Sequence, residues 1–344
     1  MMNATMGVGD DLSEAENFTN MTSTDTKKSS VADFHSIIIV CLALSLICLL
    51  IIGVVYSIIS DFRNIHGKIL LSLSGNLGVT YTFLILDLMF RRKFSPIACV
   101  SIGFVVHITF LATFFWTNIM AYDAWRTITR MKPKKIRTNK KRYLCYAAYA
   151  WGATLLISLP AVIFDNTDFI PVKYRPNMGV KRCWLSGTPA FLMYFNSPVG
   201  FVLFTNLIFF LMTMKTLIQL RNTTTILHVN KDKQRFYLYI KLFLIMGLIW
   251  ITEYIPWLSG IYKLYAIAGI LNSLHGVYLF VIFICKRSVF RSLRDLYKGA
   301  KVDNSNSRKI SQPTLGTSIK GNSNSVFYCS SSSENTEKVR ITPE

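Results

Sequence analysis

Seven long apolar runs separated by polar loops organise the chain: Ser36–Ile59, Ile69–Phe90, Ile97–Ala121, Leu144–Phe164, Ala190–Met214, Leu238–Leu258 and Leu264–Ile284. Each is at least as long as the ~20 residues of helix that cross a hydrocarbon layer roughly 30 Å thick. No water enters that layer, so backbone N–H and C=O groups must pair within the segment, which a helix achieves. The pattern predicts an all-α membrane protein whose seven-helix bundle occupies residues 36–285. That class narrows function to a receptor, transporter or channel.

Charge refines the topology. The chain is 51% hydrophobic and only 16% charged, yet carries a formal charge of +20. Lys and Arg crowd into alternate loops, above all Arg126 to Arg142, and favour one side by roughly three to one. That bias predicts an extracellular N-terminus, a cytoplasmic C-terminus and a multi-pass protein of the plasma membrane. Arg91, Arg92 and Lys93, in the first outer loop, run against it. Basic residues flanking spans meet anionic lipid heads, so anionic lipid is an expected partner and nucleic acid is not.

Met1 to Val31 contains no apolar stretch of signal-peptide type. Residues 1–35 are expected to form a short, disordered outer tail, with glycosylation candidates at Asn3, Asn17 and Asn20. Of seven cysteines, only Cys99 and Cys183 are placed toward an oxidising compartment. They are predicted to pair, two free thiols being the alternative. Closing that loop contributes on the order of 4 kcal/mol in the chain-entropy model.

Several segments, in order, carry a family resemblance. Arg63-Asn64-Ile65-His66-Gly67-Lys68, Phe114-Phe115-Trp116-Thr117-Asn118-Ile119-Met120, Cys183-Trp184 and Tyr194-Phe195-Asn196-Ser197-Pro198 are four of them. Lys241 to Trp250, and Gly276 with Lys286-Arg287, are two more. Together they resemble the secretin-like class B of G-protein-coupled receptors, and within it the Methuselah-like receptors of insects. No D-R-Y ends the third run and no N-P-x-x-Y ends the seventh, so rhodopsin-like signatures are missing. The resemblance departs from the family at three places. Residues 1–35 hold no cysteine-rich ectodomain, Met120 stands where hormone receptors of the class have glutamate, and His275 precedes Gly276 where relatives often have Gln.

The resemblance implies a G-protein-coupled receptor that turns extracellular ligand binding into opening of a cytoplasmic cleft. Its ligand would be a peptide or a small cationic molecule, and its partner a heterotrimeric G protein. The alternatives are a non-signalling seven-helix partner of other receptors and, behind that, a transporter or channel subunit. No phosphate loop, zinc-protease motif or nucleophile elbow occurs, so neither enzyme activity nor a cofactor or metal is expected.

Ionisable and polar groups inside spans mark candidate sites. Asp87, His107, Asn196, Glu253, Trp257, Asn272 and His275 are candidates for an outward-opening ligand pocket with an acidic bias. The competing reading is inter-helix hydrogen bonding, worth roughly 0.6 kcal/mol per bond, and Asp87 has a second option in Arg91 or Arg92. His66 is the candidate inner polar switch: the resemblance implies a network holding the cytoplasmic helix ends together, with a partner other than glutamate. A histidine snorkelling at the helix end is the alternative. Gly247 and Pro256 are hinge candidates in the sixth span, since proline leaves the carbonyl of Thr252 without its donor.

Beyond the seventh run, residues 286–298 read as an amphipathic interfacial helix, beside which Cys285 is a lipidation candidate. Residues 299–344 are Ser/Thr-rich and predicted to be disordered. Phosphorylation there would create an anionic patch suited to a receptor kinase and arrestin.

Overall fold

The computed structural model describes residues 24–59, 62–129, 138–180, 183–223, 262–286 and 289–294. Its helices are α1 (Thr24–Ile58), α2 (Ile65–Phe90), α3 (Pro96–Thr129), α4 (Thr138–Asp165), α5 (Thr188–Phe191), α6 (Ser197–Thr223), α7 (Tyr262–Ser273) and α8 (His275–Phe283). Among the described residues, six helical stretches are long and apolar enough to cross a membrane. They correspond to the first five and the seventh predicted runs. The sixth, with Gly247, Glu253, Pro256 and Trp257, lies outside the described residues, as do Asn3, Asn17, Asn20 and residues 295–344. Of the expected interfacial helix, residues 289–294 are helical.

Helices outrun the apolar runs that nucleate them. α3 has 34 residues, about 51 Å at 1.5 Å per residue, well beyond the hydrocarbon thickness. It continues past Ala121 to Thr129, carrying Asp123 and Arg126 on helical backbone. α1 likewise begins at Thr24, ahead of Ser36, so part of the expected tail is helical. Once a long helix exists, each further residue adds a hydrogen bond at little cost.

α3 is the centre of the bundle. Every residue from Phe110 to Met120 is buried, as expected of a helix apolar on all faces. α2, α4 and α6 pack around it. At the start of α2, Asn64 caps the helix by accepting from the Gly67 amide at 2.9 Å. A side chain at Gly67 would run into the Phe62 carbonyl. α5 passes into α6 through one π-helical stretch, Leu192–Asn196, followed by Pro198.

The seventh span is broken at Leu274. Val277 N–H bonds the Leu274 carbonyl at 2.9 Å, so the Ser273 carbonyl loses its usual helical donor. Ser45 of α1 supplies one instead, its hydroxyl donating to Ser273 O at 2.6 Å. One residue earlier, Tyr81 of α2 donates to Asn272 O at 2.8 Å. Gly276 completes the seam, because a Cβ there would meet the Ser45 backbone and Leu49.

Candidate functional site

At one end of the bundle, α2, α3 and α4 meet on a single carboxylate. Asp123 is fully buried, while His66 and Arg142 beside it are 25% and 23% exposed. His66 Nδ1 lies 2.8 Å from Asp123 Oδ2. Tyr146 donates its hydroxyl to Asp123 Oδ1 at 2.7 Å, and the Arg142 guanidinium pairs with that same oxygen. Arg142 Nε in turn donates to Tyr146 Oη at 2.9 Å. Arg142 and Tyr146 stand four residues apart on α4 and so share a face. A carboxylate removed from water is tolerable only when paired and hydrogen-bonded, and here two helices deliver three partners to it.

Deeper in the bundle a second polar node joins α3, α4 and α6. Asn118 Nδ2 donates to Thr205 Oγ1 and to Asn206 Oδ1, both at 2.9 Å. Tyr149 closes the set by donating to Asn118 Oδ1 at 3.0 Å.

The opposite end is sealed by the loop between α4 and α5. Cys99 of α3 is disulfide-bonded to Cys183 of that loop. The Cys183 carbonyl passes so close to Gly103 that no side chain would fit there. Next along, Trp184 is buried against Phe195 and Phe191, with ring centroids 4.9 and 5.3 Å away. Phe110 and His107 flank it at 6.2 Å. His107 is fully buried and, among the described residues, neither of its ring nitrogens nor His275 Nε2 has a hydrogen-bond partner. Asn272 is buried, with its carbonyl held by Tyr81. Asn196 closes the π-helical stretch. Asp87 is occupied: Arg91 grips both its oxygens at 3.1 and 2.8 Å.

Comparison with known proteins agrees with this architecture. The family profile described as "7 transmembrane receptor (Secretin family)" matches residues 31–281. The chain belongs to the secretin family of seven-transmembrane receptors. Similar receptors include "G-protein coupled receptor Mth2" of Drosophila yakuba, 29% identical over 280 residues, covering 77% of this chain and 52% of that one. "G-protein coupled receptor Mth" of Drosophila melanogaster is 29% identical over 281 residues, covering 77% and 54%. "Probable G-protein coupled receptor Mth-like 10" of the same organism is 28% identical over 288 residues, covering 77% and 49%. The chain spans about half the length of these curated relatives. The Methuselah resemblance, multi-pass character and Cys99–Cys183 pairing expected from the sequence are therefore all present.

In this secretin-family receptor the site residues fall into separate groups. His107, Trp184 and Phe195 gather beneath the disulfide, whereas His66 stands at the other end with Asp123. Sequence reasoning found His66 but missed Asp123, Arg142 and Tyr146. Asp123 follows the apolar part of the third run by two residues, and Arg142 was one base among many. The available signal was helical spacing: Asp123 lies one turn beyond Met120, where the class carries glutamate. Cys285 is exposed at the end of the seventh span.

Proposed function

We propose that this chain is a G-protein-coupled receptor of the plasma membrane, with its N-terminus outside and its C-terminus in the cytoplasm. An extracellular ligand engages the end bearing the Cys99–Cys183 disulfide. It biases the bundle between two packings, of which one opens a cytoplasmic cleft for a heterotrimeric G protein. The observation that carries the reading is the Asp123 clasp, in which His66 and Arg142 from two other helices converge on one buried carboxylate. A clasp of this kind stores a preference for one packing and releases it when its partners part.

In this reading His107, Asn196, Asn272 and His275 contribute to ligand recognition from the third, fifth and seventh spans. Asp87 does not supply a free negative charge, because Arg91 already neutralises it. That shifts the expected ligand contact from a cationic group toward aromatic and hydrogen-bonding groups at this position. Glycosylation at Asn3, Asn17 and Asn20, lipidation at Cys285, and kinase and arrestin contacts in residues 299–344 belong to the same proposal.

The test is guanine-nucleotide exchange on a panel of G proteins, using membranes that hold the intact chain, His66→Ala or Asp123→Asn. Exchange above empty membranes that rises in either variant supports a coupled receptor held back by the clasp. Surface-expressed protein that gives no exchange in any form would move the assignment to a non-signalling partner of other receptors.

A further inference from the structure

At the clasp end, the seam between α2 and α4 presents cations that, among the described residues, no carboxylate answers. The Lys68 ammonium sits 5.7 Å from the ring centroid of Tyr143 on α4. Tyr143 Oη and Ser72 Oγ, 2.8 Å apart, tie the two helices together just beyond it. Trp116 of α3 stacks on Tyr143 at 5.8 Å and closes the floor. Lys140 and Lys141 are exposed in the first turn of α4, and Arg63 is exposed ahead of α2. The acid close at hand, Asp123, is already held by His66, Arg142 and Tyr146. Among the described residues, Arg63, Lys68, Lys140 and Lys141 make no ion pair.

Depth and surroundings indicate what answers them. Lys68 immediately precedes the apolar run beginning at Ile69, and Lys140 and Lys141 lie just ahead of the run beginning at Leu144. The cations therefore sit where hydrocarbon gives way to headgroups, on two neighbouring helices. Leu144, 65% exposed, continues the α4 surface into the apolar layer. A soluble anion would satisfy the charges and leave that apolar wall uncovered; a phospholipid covers both. Basic sites between helices at the cytoplasmic leaflet suit anionic lipid heads.

We propose that this α2–α4 seam binds the phosphorylated headgroup of an anionic inner-leaflet lipid, with Lys68 and Lys140 on its phosphates and Tyr143 as the platform beneath. The proposal takes only the cytoplasmic placement of this end from the functional reading above. Its test is made in detergent without any G protein, so failure of lipid binding and failure of coupling are told apart.

The experiment is native mass spectrometry of the purified full chain titrated with phosphatidylinositol bisphosphate, phosphatidylcholine and soluble inositol trisphosphate. Retained phosphatidylinositol bisphosphate over phosphatidylcholine is expected, with binding about fivefold weaker for each of Lys68→Ala and Lys140→Ala. Lys173→Ala, on the far side of the bundle, should leave it unchanged. Equal binding by the Lys68→Ala/Lys140→Ala double variant and the native chain would overturn the proposal. So would inositol trisphosphate that binds as tightly as the lipid, because the apolar wall would then contribute nothing.

Discussion

Asp123 and His66 stand 2.8 Å apart across α3 and α2, the acid sealed from solvent and the imidazole a quarter exposed. The same asymmetry holds toward Arg142, so the carboxylate depends on its partners more than they depend on it. Arg142→Ala should therefore destabilise more than Asp123→Asn. The first leaves a buried charge short of a cation, toward the lower end of about 3–5 kcal/mol because His66 and Tyr146 remain. The second frees two side chains that already reach the surface. Apparent melting temperatures of the purified variants decide the order, and the reverse order would contradict the geometry.

Gly103 and the Cys183 carbonyl make a second prediction. Gly103→Ala places a methyl group where that backbone oxygen now lies, and the disulfide to Cys99 stops the loop from backing away. The variant should lose surface expression as severely as Cys183→Ser. If Gly103→Ala is tolerated while Cys183→Ser is not, the loop sits higher above the bundle than described.

Ser45→Ala and Gly276→Ala touch the same seam by different means. Removing the Ser45 hydroxyl deletes one hydrogen bond to Ser273 O, worth roughly 0.6 kcal/mol inside a bilayer. Adding a methyl at Gly276 pushes backbone against backbone and separates the helices. A melting temperature that falls clearly further for Gly276→Ala than for Ser45→Ala is the expected result.

Asn118 and Asn206 should be energetically coupled. A double-mutant cycle with Asn118→Leu and Asn206→Leu should give a coupling of about 0.6 kcal/mol, and no more than about 1.7. Additive losses would mean that the 2.9 Å bond between them carries no net stability.

Much of the bundle was legible because lipid imposes a simple rule on a chain: apolar length reports a crossing. Cys99 and Cys183 were legible for a related reason, since topology alone sorts cysteines by compartment. The clasp was harder to see. Its acid lies where α3 has left the apolar layer but not the protein, so hydropathy ends at Ala121 while the helix runs on to Thr129. Arg142 could not be singled out among Lys140, Lys141 and the bases before them, because partner choice depends on which face of α4 turns inward. The break at Leu274 had no proline or glycine at that residue to announce it. It rests on hydroxyls from Ser45 and Tyr81, far away in sequence.

The clasp also bears on how the chain is built. Synthesis runs from His66 to Asp123 to Arg142, so the carboxylate reaches the membrane with one partner already in place and the other still to come. The nascent third helix thus never faces the bilayer with its acid wholly unaccompanied. The fourth helix, arriving last of the three, brings the pair of side chains that finish the site.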